Sequence, residues 1–457
     1  MLVMKFGGTS VGDGDRILRV AGLVGRHADD PPLAVVSAMG GVTDALLALS
    51  KAAQQGESSA ADRALEEIGA RHRGAVDAMC LAPSAAAACR EEIGRELNRL
   101  EKLATGVSLL GELSPRTSDA IAAAGEMLSA TLLTEALRKL GTRAVKIDPR
   151  ALMATDASYG AAVPDEAGIS SHLFEKVLPE RAAGRTVVTG GFVGSAPDGS
   201  FTTLGRGGSD FSAALFGAGL RDAGVPVEAI EIWTDVDGIL TADPRIVPDA
   251  RLIPEVSADE AAELAFFGAK VLHPATIRPA VTRGIPVVVR NTFHPGVSGT
   301  VVRADVAGRG VRALAARKGV AALFVGSPRM LMAHGYAARV FGVFEAHGVP
   351  VDVIATSEVS ISTTVDEKAP IDAIVRDLSK FAEVHVLRHL AVVSVVGKGL
   401  RTTPGVAARI FSALGDVNAV MISQGASDTN VTFVVSADEA SDALRRLHAE
   451  FFREDVR

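Results

Sequence analysis

Three glycine-rich segments stand where a polypeptide could hold an anion. The first, Lys5-Phe6-Gly7-Gly8-Thr9-Ser10-Val11-Gly12, follows an apolar strand-like start and leads into a helical pattern near Asp13. The second, Ser37-Ala38-Met39-Gly40-Gly41-Val42-Thr43, again follows an apolar run, and the third, Gly205-Arg206-Gly207-Gly208-Ser209-Asp210, opens an alanine-rich helix. Glycines between a strand and a helix let consecutive backbone N–H groups approach an anion, and the helix N-terminus adds partial positive charge. Lys5 adds a full charge. One such turn alone can be a tight connection with an exposed lysine. Three of them, each at the C-terminal end of a strand, converge on one edge of a sheet, where open α/β folds place their ligands. Phosphate handling is the chemistry this implies. A P-loop is excluded, because neither Gly397-Lys398 nor any other site completes its pattern, and Asp210-Phe211-Ser212 lacks the context of a protein kinase.

The elements that must position these turns alternate. Up to about Asn291, short β-branched runs (Leu33 to Met39, Thr186 to Val193, Ala229 to Val236, Ile285 to Asn291) alternate with longer helical segments. This predicts an open, mostly parallel sheet sandwiched by helices. Residues 58–106, rich in Ala, Glu and Arg, read as a helical insertion within a catalytic domain of residues 1–300. Past Val301 the chain repeats itself. Gly335-Tyr336-Ala337-Ala338-Arg339-Val340-Phe341 recurs 70 residues later as Gly405-Val406-Ala407-Ala408-Arg409-Ile410-Phe411, with five of seven positions identical. Valine-rich runs precede and follow each copy, which predicts two βαββ-type domains, 313–388 and 389–457, one possibly inserted with the C-terminus completing the first.

Composition narrows the function. The 457 residues are 48% hydrophobic, in short broken runs and without a stretch of about eighteen apolar residues, so no membrane span is expected. The N-terminus has no signal-peptide pattern. Cys80 and Cys89 have no His/Cys partners at metal spacing and read as ordinary buried thiols of a reducing, cytoplasmic compartment. A net charge of −7 and 4% aromatics give no basis for nucleic-acid binding.

Taken in order, KFGGTSVGDGDR, VVSAMGGVTDALL, AAAGEMLSATLL, TLGRGGSDFSAAL, IWTDVDGILTADPR and FGAKVLHPAT resemble the signature segments of the aspartate kinases, in the wider amino-acid kinase family. The C-terminal repeats are similar to that family's ACT domains. The resemblance implies transfer of the γ-phosphoryl group of ATP, with Mg2+ held mostly by phosphate oxygens and water, to the β-carboxylate of L-aspartate, the first step of aspartate-family amino-acid biosynthesis. It assigns Lys5, with Gly8 and Gly41, to the migrating phosphoryl group and Asp210 to orienting Lys5. Arg206 and Glu126 take the substrate carboxylate and ammonium, beside Ser37, Thr43, Gly207 and Ser209. Lys5, Gly7, Gly8, Thr9, Thr234, Asp235, Leu240, Arg245 and Lys270 are its nucleotide contacts, Leu240 standing where many members carry tyrosine. No protein metal ligand is named, and His273 reads as structural. For an effector, lysine by resemblance, the positions are Met330, Gly335, Tyr336, Ala337, Val351, Asp352, Ser357 and Glu358. Assembly is expected as homodimers, or dimers of dimers, through the ACT repeats. A kinase for another amino-acid carboxylate and a non-catalytic amino-acid sensor are the competing readings.

Overall fold

The β-branched runs end at glycine turns because a glycine placed between packed segments interrupts the ladder, and the alanine-rich runs between them bury one face as helices. The computed structural model describes residues 1–267, 272, 274–327 and 334–453. The chain divides into two units, Met1–Gly238 with Pro254–Ala258 and Val271–Asp305, and Ile239–Ile253 with Asp259–Lys270 and Val306–Arg457.

The first unit runs β1 (Leu2–Phe6), α1 (Gly14–Gly25), β2 (Leu33–Val36), α2 (Val42–Gln54), α3 (Ser58–Ala78), α4 (Pro83–Leu110), α5 (Pro115–Ala122), α6 (Ala124–Lys139), β3 (Ala144–Lys146), α7 (Glu166–Ala182) and β4 (Thr186–Gly190). It continues through β5 (Val193–Ser195), β6 (Phe201–Thr203), α8 (Gly208–Asp222), β7 (Ala229–Thr234) and β8 (Glu255–Ser257). After α9 (Ala258–Phe266), which leads into the second unit, come α10 (Pro274–Val281), β9 (Val287–Asn291) and β10 (Thr300–Arg303). The sheet order is β3-β4-β2-β1-β7-β9-β10-β8. Its neighbours pair parallel except β9 with β10. Met4, Phe6, Ala34 and Val36 face a core shared with α1, α2 and α6. Strand alternation therefore turns Lys5 the other way, toward the side on which α8 packs against β1, β2 and β7.

Two of the expected strands are shorter than their apolar runs. Residues 33–39 stop pairing at Val36, and 186–193 split at Gly190. Phe192 there adopts a left-handed backbone, φ 65°, which no ladder residue can hold. The helical insertion is the antiparallel pair α3 and α4, which buries Ile68, Val76, Ile93 and Leu100 in the same core as α1 and α2. Cys89 is buried within it, and burial pushes its thiol up to about 11. Cys80 departs from expectation: it is exposed at the α3–α4 turn, with φ 47°. One helical stretch, Pro115–Lys139, has the length and mean hydropathy of a membrane span, and 78% of that window is buried inside the protein as core.

The second unit carries β11 (Gly310–Gly326), α11 (Tyr336–Ala346), β12 (Ile354–Thr356), β13 (Ser360–Asp366), α12 (Ile371–Leu378), β14 (Glu383–Lys398), α13 (Val406–Leu414), β15 (Met421–Gln424), β16 (Asn430–Ser436) and α14 (Ala440–Phe452). They build one antiparallel sheet, β12-β13-β11-β14-β16-β15. The repeat is visible in the caps, since α11 and α13 both start at a left-handed glycine, Gly335 and Gly405. Each copy ends in a helix, α12 or α14, beyond the expected βαββ.

The expected exchange of segments runs in the opposite direction. The C-terminal helix α14 packs with β14, α13 and β16, in the core of the second copy. The segment that crosses over is N-terminal: Gly310–Lys318, the first half of β11, pairs with Ala391–Lys398 and contributes Leu314 to that core. The first copy is thus the inserted one, with its own core of Leu323, Val325, Val340, Phe344, Ile361 and Ile374. A 17-residue strand can serve two sheet halves because a β-ladder needs only continuous backbone donors and acceptors, here bent by register shifts near Val320.

Candidate active site

All three glycine turns line one cleft of about 660 Å³ in the first unit. Lys5 ends β1, and its ammonium lies 2.5 Å from the Asp210 carboxylate on the first turn of α8. Both side chains are largely buried, at 10% and 16% exposure. Water cannot fully screen such a pair, so the carboxylate fixes where the ammonium sits. The helices α2 and α8 both begin at this cleft, at Gly41 (φ 82°) and Gly207 (φ 71°), backbone conformations that glycine adopts without strain. Two helix N-termini and one lysine thus present positive potential to the same space.

Glu126, on the first turn of α6, lines the same cleft. Its Oε1 accepts the Ala38 N–H at 3.1 Å, while Oε2 is buried with no partner among the described residues. Burial raises its carboxyl to about 7, against the Ala38 hydrogen bond and the nearby Lys5 charge. An unpaired buried carboxylate oxygen is costly, and a cationic ligand would relieve that cost. Arg206 is exposed in the α8 turn and lines the cleft, as do Ser37, Thr43, Ser209 and Gly207.

Not every expected donor is available. The Gly7 N–H is already given to the Trp233 carbonyl at 3.0 Å, so Gly7 joins β1 to β7 instead of facing a phosphate. Gly8 and Thr9 do line the cleft. Thr234 ends β7 and Asp235 follows it, their side chains in contact at 3.2 Å, while Leu240 and Arg245 belong to the second unit. There Leu240 bridges to Leu252, and Arg245, 88% exposed, is forked onto Asp243 at 2.7 Å. Lys270, His273 and Met330 lie outside the described residues.

Of the effector positions, Gly335, Tyr336 and Ala337 open α11, Val351 and Asp352 precede β12, and Ser357 and Glu358 form the β12–β13 turn. The Tyr336 hydroxyl is buried without a partner among the described residues, and its ring meets Phe381 edge-on at 5.8 Å. Asp352 is half-buried and paired with Arg317.

Sequence reasoning missed Phe192, Leu47 and Ala122 in the cleft wall. It also missed Asp119, which ties α5 to distant segments by accepting from the Gly160 N–H, the Thr203 N–H and the Thr203 hydroxyl at 2.8–2.9 Å. Phe192 follows Gly190-Gly191, a weak signal for a strained turn; Asp119 carries no local signal, its partners being 41 and 84 residues away.

The fold and this cleft define a class, and the profile described as amino acid kinase family matches residues 1–291, with an ACT domain profile matching 324–376 and 393–451. The chain is 38% identical to "Lysine-sensitive aspartokinase 3" of Escherichia coli K12, over 99% of both chains, and 36% identical to "Aspartokinase 1, chloroplastic" of Arabidopsis thaliana, over 98% of this chain and 80% of that one. Among solved structures, E. coli aspartokinase III in complex with lysine and aspartate (T-state) superposes with a TM-score of 0.85 at 37% identity, covering 99% of this chain and 100% of that one. The same enzyme with aspartate and ADP (R-state) gives 0.82. The chain belongs to the amino acid kinase family and, within it, to the aspartokinases.

Proposed function

We propose that this chain transfers the γ-phosphoryl group of ATP to the β-carboxylate of L-aspartate, giving 4-phospho-L-aspartate and ADP, the first step of aspartate-family amino-acid biosynthesis. The observation that carries the reading is the buried Lys5–Asp210 pair in the same cleft as a Glu126 oxygen that has no partner among the described residues. A β-carboxylate oxygen attacks the γ-phosphorus in line, and the bond from that phosphorus to the β,γ-bridging oxygen breaks, its electron pair leaving with ADP. No proton need move, because the nucleophile is already ionised. Catalysis then rests on position and charge. Lys5 neutralises the migrating phosphoryl group, Asp210 holds Lys5 in place, and the N-termini of α2 and α8 supply backbone donors.

Glu126 takes the substrate α-ammonium, and Arg206 takes the α-carboxylate in its planar fork. Thr234, Asp235, Leu240, Arg245 and Lys270 contact the nucleotide. Mg2+ arrives with ATP as counter-ion to its phosphates; the described residues hold no group of three or more His, Cys, Asp or Glu side chains that would suit a resident ion. Lysine is the effector, acting at the first ACT copy, and the chain assembles as a homodimer through those repeats. The E. coli relative's structure in complex with both lysine and aspartate supports this division of sites.

A hydroxylamine trap tests the reaction. The acyl phosphate yields a coloured hydroxamate with ATP and aspartate, and not with ATP and glutamate. Hydroxamate from glutamate at a comparable rate would reassign the substrate, and full turnover by Lys5→Ala would overturn the site.

A further inference from the structure

The main-chain groups of Gly40 and Gly41, where α2 begins, can be accounted for one at a time. The Gly40 N–H is given to the Gly8 carbonyl at 3.0 Å, and the Gly41 carbonyl accepts the Ala45 N–H at 3.1 Å in the first turn of α2. The Gly40 carbonyl accepts from Nη1 of Arg71 at 3.2 Å. That leaves the Gly41 N–H, which has no hydrogen-bond partner among the described residues. Both glycines line the Lys5 cleft, and Arg71 does not. Main-chain groups find their partners in protein, water or ligand, so the Gly41 N–H is the donor this turn offers to an acceptor in the cleft.

Arg71 is mounted to aim that donor. It projects from α3 in the helical insertion, where Ile68, His72 and Ala75 are buried and hold the helix against the core. One turn earlier, Glu67 Oε1 accepts from both Nε and Nη2 of Arg71, at 3.1 and 2.9 Å, which fixes the guanidinium and leaves Nη1 for Gly40. The group lies broadside on Gly41: a Cβ there would stand 3.4–3.5 Å from its Cζ, Nη2 and Nη1 alike. The Gly40–Gly41 peptide is trans, which sets its N–H opposite its C=O. Holding the carbonyl toward α3 therefore turns the N–H away from α3. A carbonyl that accepts from a cation also polarises its amide, and the N–H of the same peptide becomes a stronger donor.

We propose that Arg71 is a positioning residue for phosphoryl transfer: through the Gly40 carbonyl it aims and polarises the Gly41 N–H, which donates to the migrating phosphoryl group. The inference rests on the reading of the Lys5 cleft as the kinase site, and it gives the helical insertion a part in the reaction. The Glu67–Arg71 pair is exposed, and exposed ion pairs contribute little to stability, so its removal separates rate from folding.

Initial-rate kinetics of the hydroxamate reaction on the intact protein test the proposal. Arg71→Met keeps an unbranched side chain and removes its donors. Its kcat should fall about tenfold, less than the loss of about 10²–10³ for deleting a donor outright, with the KM for aspartate and the melting temperature unchanged. Arg71→Lys, whose ammonium can still donate to the Gly40 carbonyl, should recover most of that loss. Glu67→Gln, which loosens the guanidinium, should show a smaller loss of the same kind. A purely structural contact would lower the melting temperature and would not separate methionine from lysine in kcat. A native kcat in Arg71→Met, a loss that falls wholly on KM, or a loss in Arg71→Lys as deep as in Arg71→Met would overturn the placement of Arg71. A native chain that makes no hydroxamate from aspartate would instead overturn the reading of the cleft on which that placement rests.

Discussion

Glu126→Gln should gain stability relative to the native chain as pH rises, while disabling the protein. Glu126 titrates near 7 when folded, because burial disfavours its charge, and near 4.5 when unfolded. The folded state thus holds the proton through the window between those values, and stability falls as pH rises from about 4.5 to about 7. Integrating the linkage between pH 5 and pH 8 gives a loss of roughly 2.5 kcal/mol. The amide does not titrate, so the variant escapes this loss. Its own buried NH2 costs about 1–3 kcal/mol, but that cost is the same at both pH values and cancels in the comparison. The observable is therefore the difference: the stability of Glu126→Gln relative to the native chain should improve by roughly 2.5 kcal/mol from pH 5 to pH 8. Urea unfolding followed by tryptophan fluorescence suits the measurement, because the sole tryptophan, Trp233, lies in β7 beside β1. Hydroxamate assays on the same samples should show kcat/KM for aspartate lost in the variant. In the native chain it should rise about tenfold per pH unit below 7 as the carboxylate ionises. A stability difference that stays flat with pH would refute the assignment of a raised carboxyl, and native-like aspartate KM in the variant would refute its role with the ammonium.

Asp210→Asn should lower kcat by roughly ten- to hundredfold with little change in the KM for ATP, because it frees Lys5 without removing its charge; Lys5→Ala should cost about 10²–10³ or more in kcat, both by initial-rate kinetics. Gly208→Ala would place a Cβ 2.5 Å from the Phe192 ring and should destabilise by about 1–3 kcal/mol, with Phe192→Ala in the same chain recovering most of that loss in denaturant titrations. Asp352→Asn should weaken lysine inhibition of the hydroxamate reaction several-fold and leave the uninhibited rate in place; unchanged inhibition would show that Arg317 keeps this carboxylate occupied throughout. Light scattering of the intact chain should report a dimer or larger, and a monomer that lysine still inhibits would contradict assembly through the repeats.

Much of the first unit was legible because its signals are local. A β-branched run ending in a glycine turn names both a strand and the edge at which it stops, so Lys5, Gly41, Arg206 and Asp210 could be placed at one cleft before any coordinates. The N-cap of α1 could also be read locally: Asp13 accepts the Arg16 N–H at 2.9 Å. What sequence could not show depends on partners remote in the chain. Gly7 looks identical to Gly8 in sequence, yet its N–H is consumed by Trp233, 226 positions away by numbering, through the β1–β7 pairing. Asp352 looks like a free acid until strand pairing brings Arg317 to it. The crossing of Gly310–Lys318 into the second copy was hidden for the same reason: a uniform apolar run does not reveal which neighbour it pairs with.

The glycines of the cleft carry a further lesson about how such a site is made rigid. Reading them as phosphate donors accounts for only part of their use. A Cβ on Gly8 would come within 2.8 Å of the Ala38 carbonyl, one on Gly125 within 2.6 Å of the Ala38 side chain, and one on Gly190 within 2.9 Å of the Glu126 Cβ. Gly191 meets Ser209 at 2.8 Å in the same way. None of these four has a positive φ, so conformational freedom is not what requires them. They are small so that the three turns and α6 can press backbone to backbone. That packing leaves Lys5, Glu126 and Asp210 little room to relax, and electrostatic catalysis needs charges that hold still while the phosphoryl group moves. The same closeness explains why Glu126 is dry enough for its carboxyl to rise to about 7. Loosening the turns with one added methyl should therefore do two things together: let water reach Glu126, returning its titration toward the ordinary carboxylate range, and lower kcat by freeing Lys5. A Gly125→Ala chain that lost activity yet kept the native pH profile for aspartate would separate the two effects and show that packing, on its own, does not set the acidity of the site.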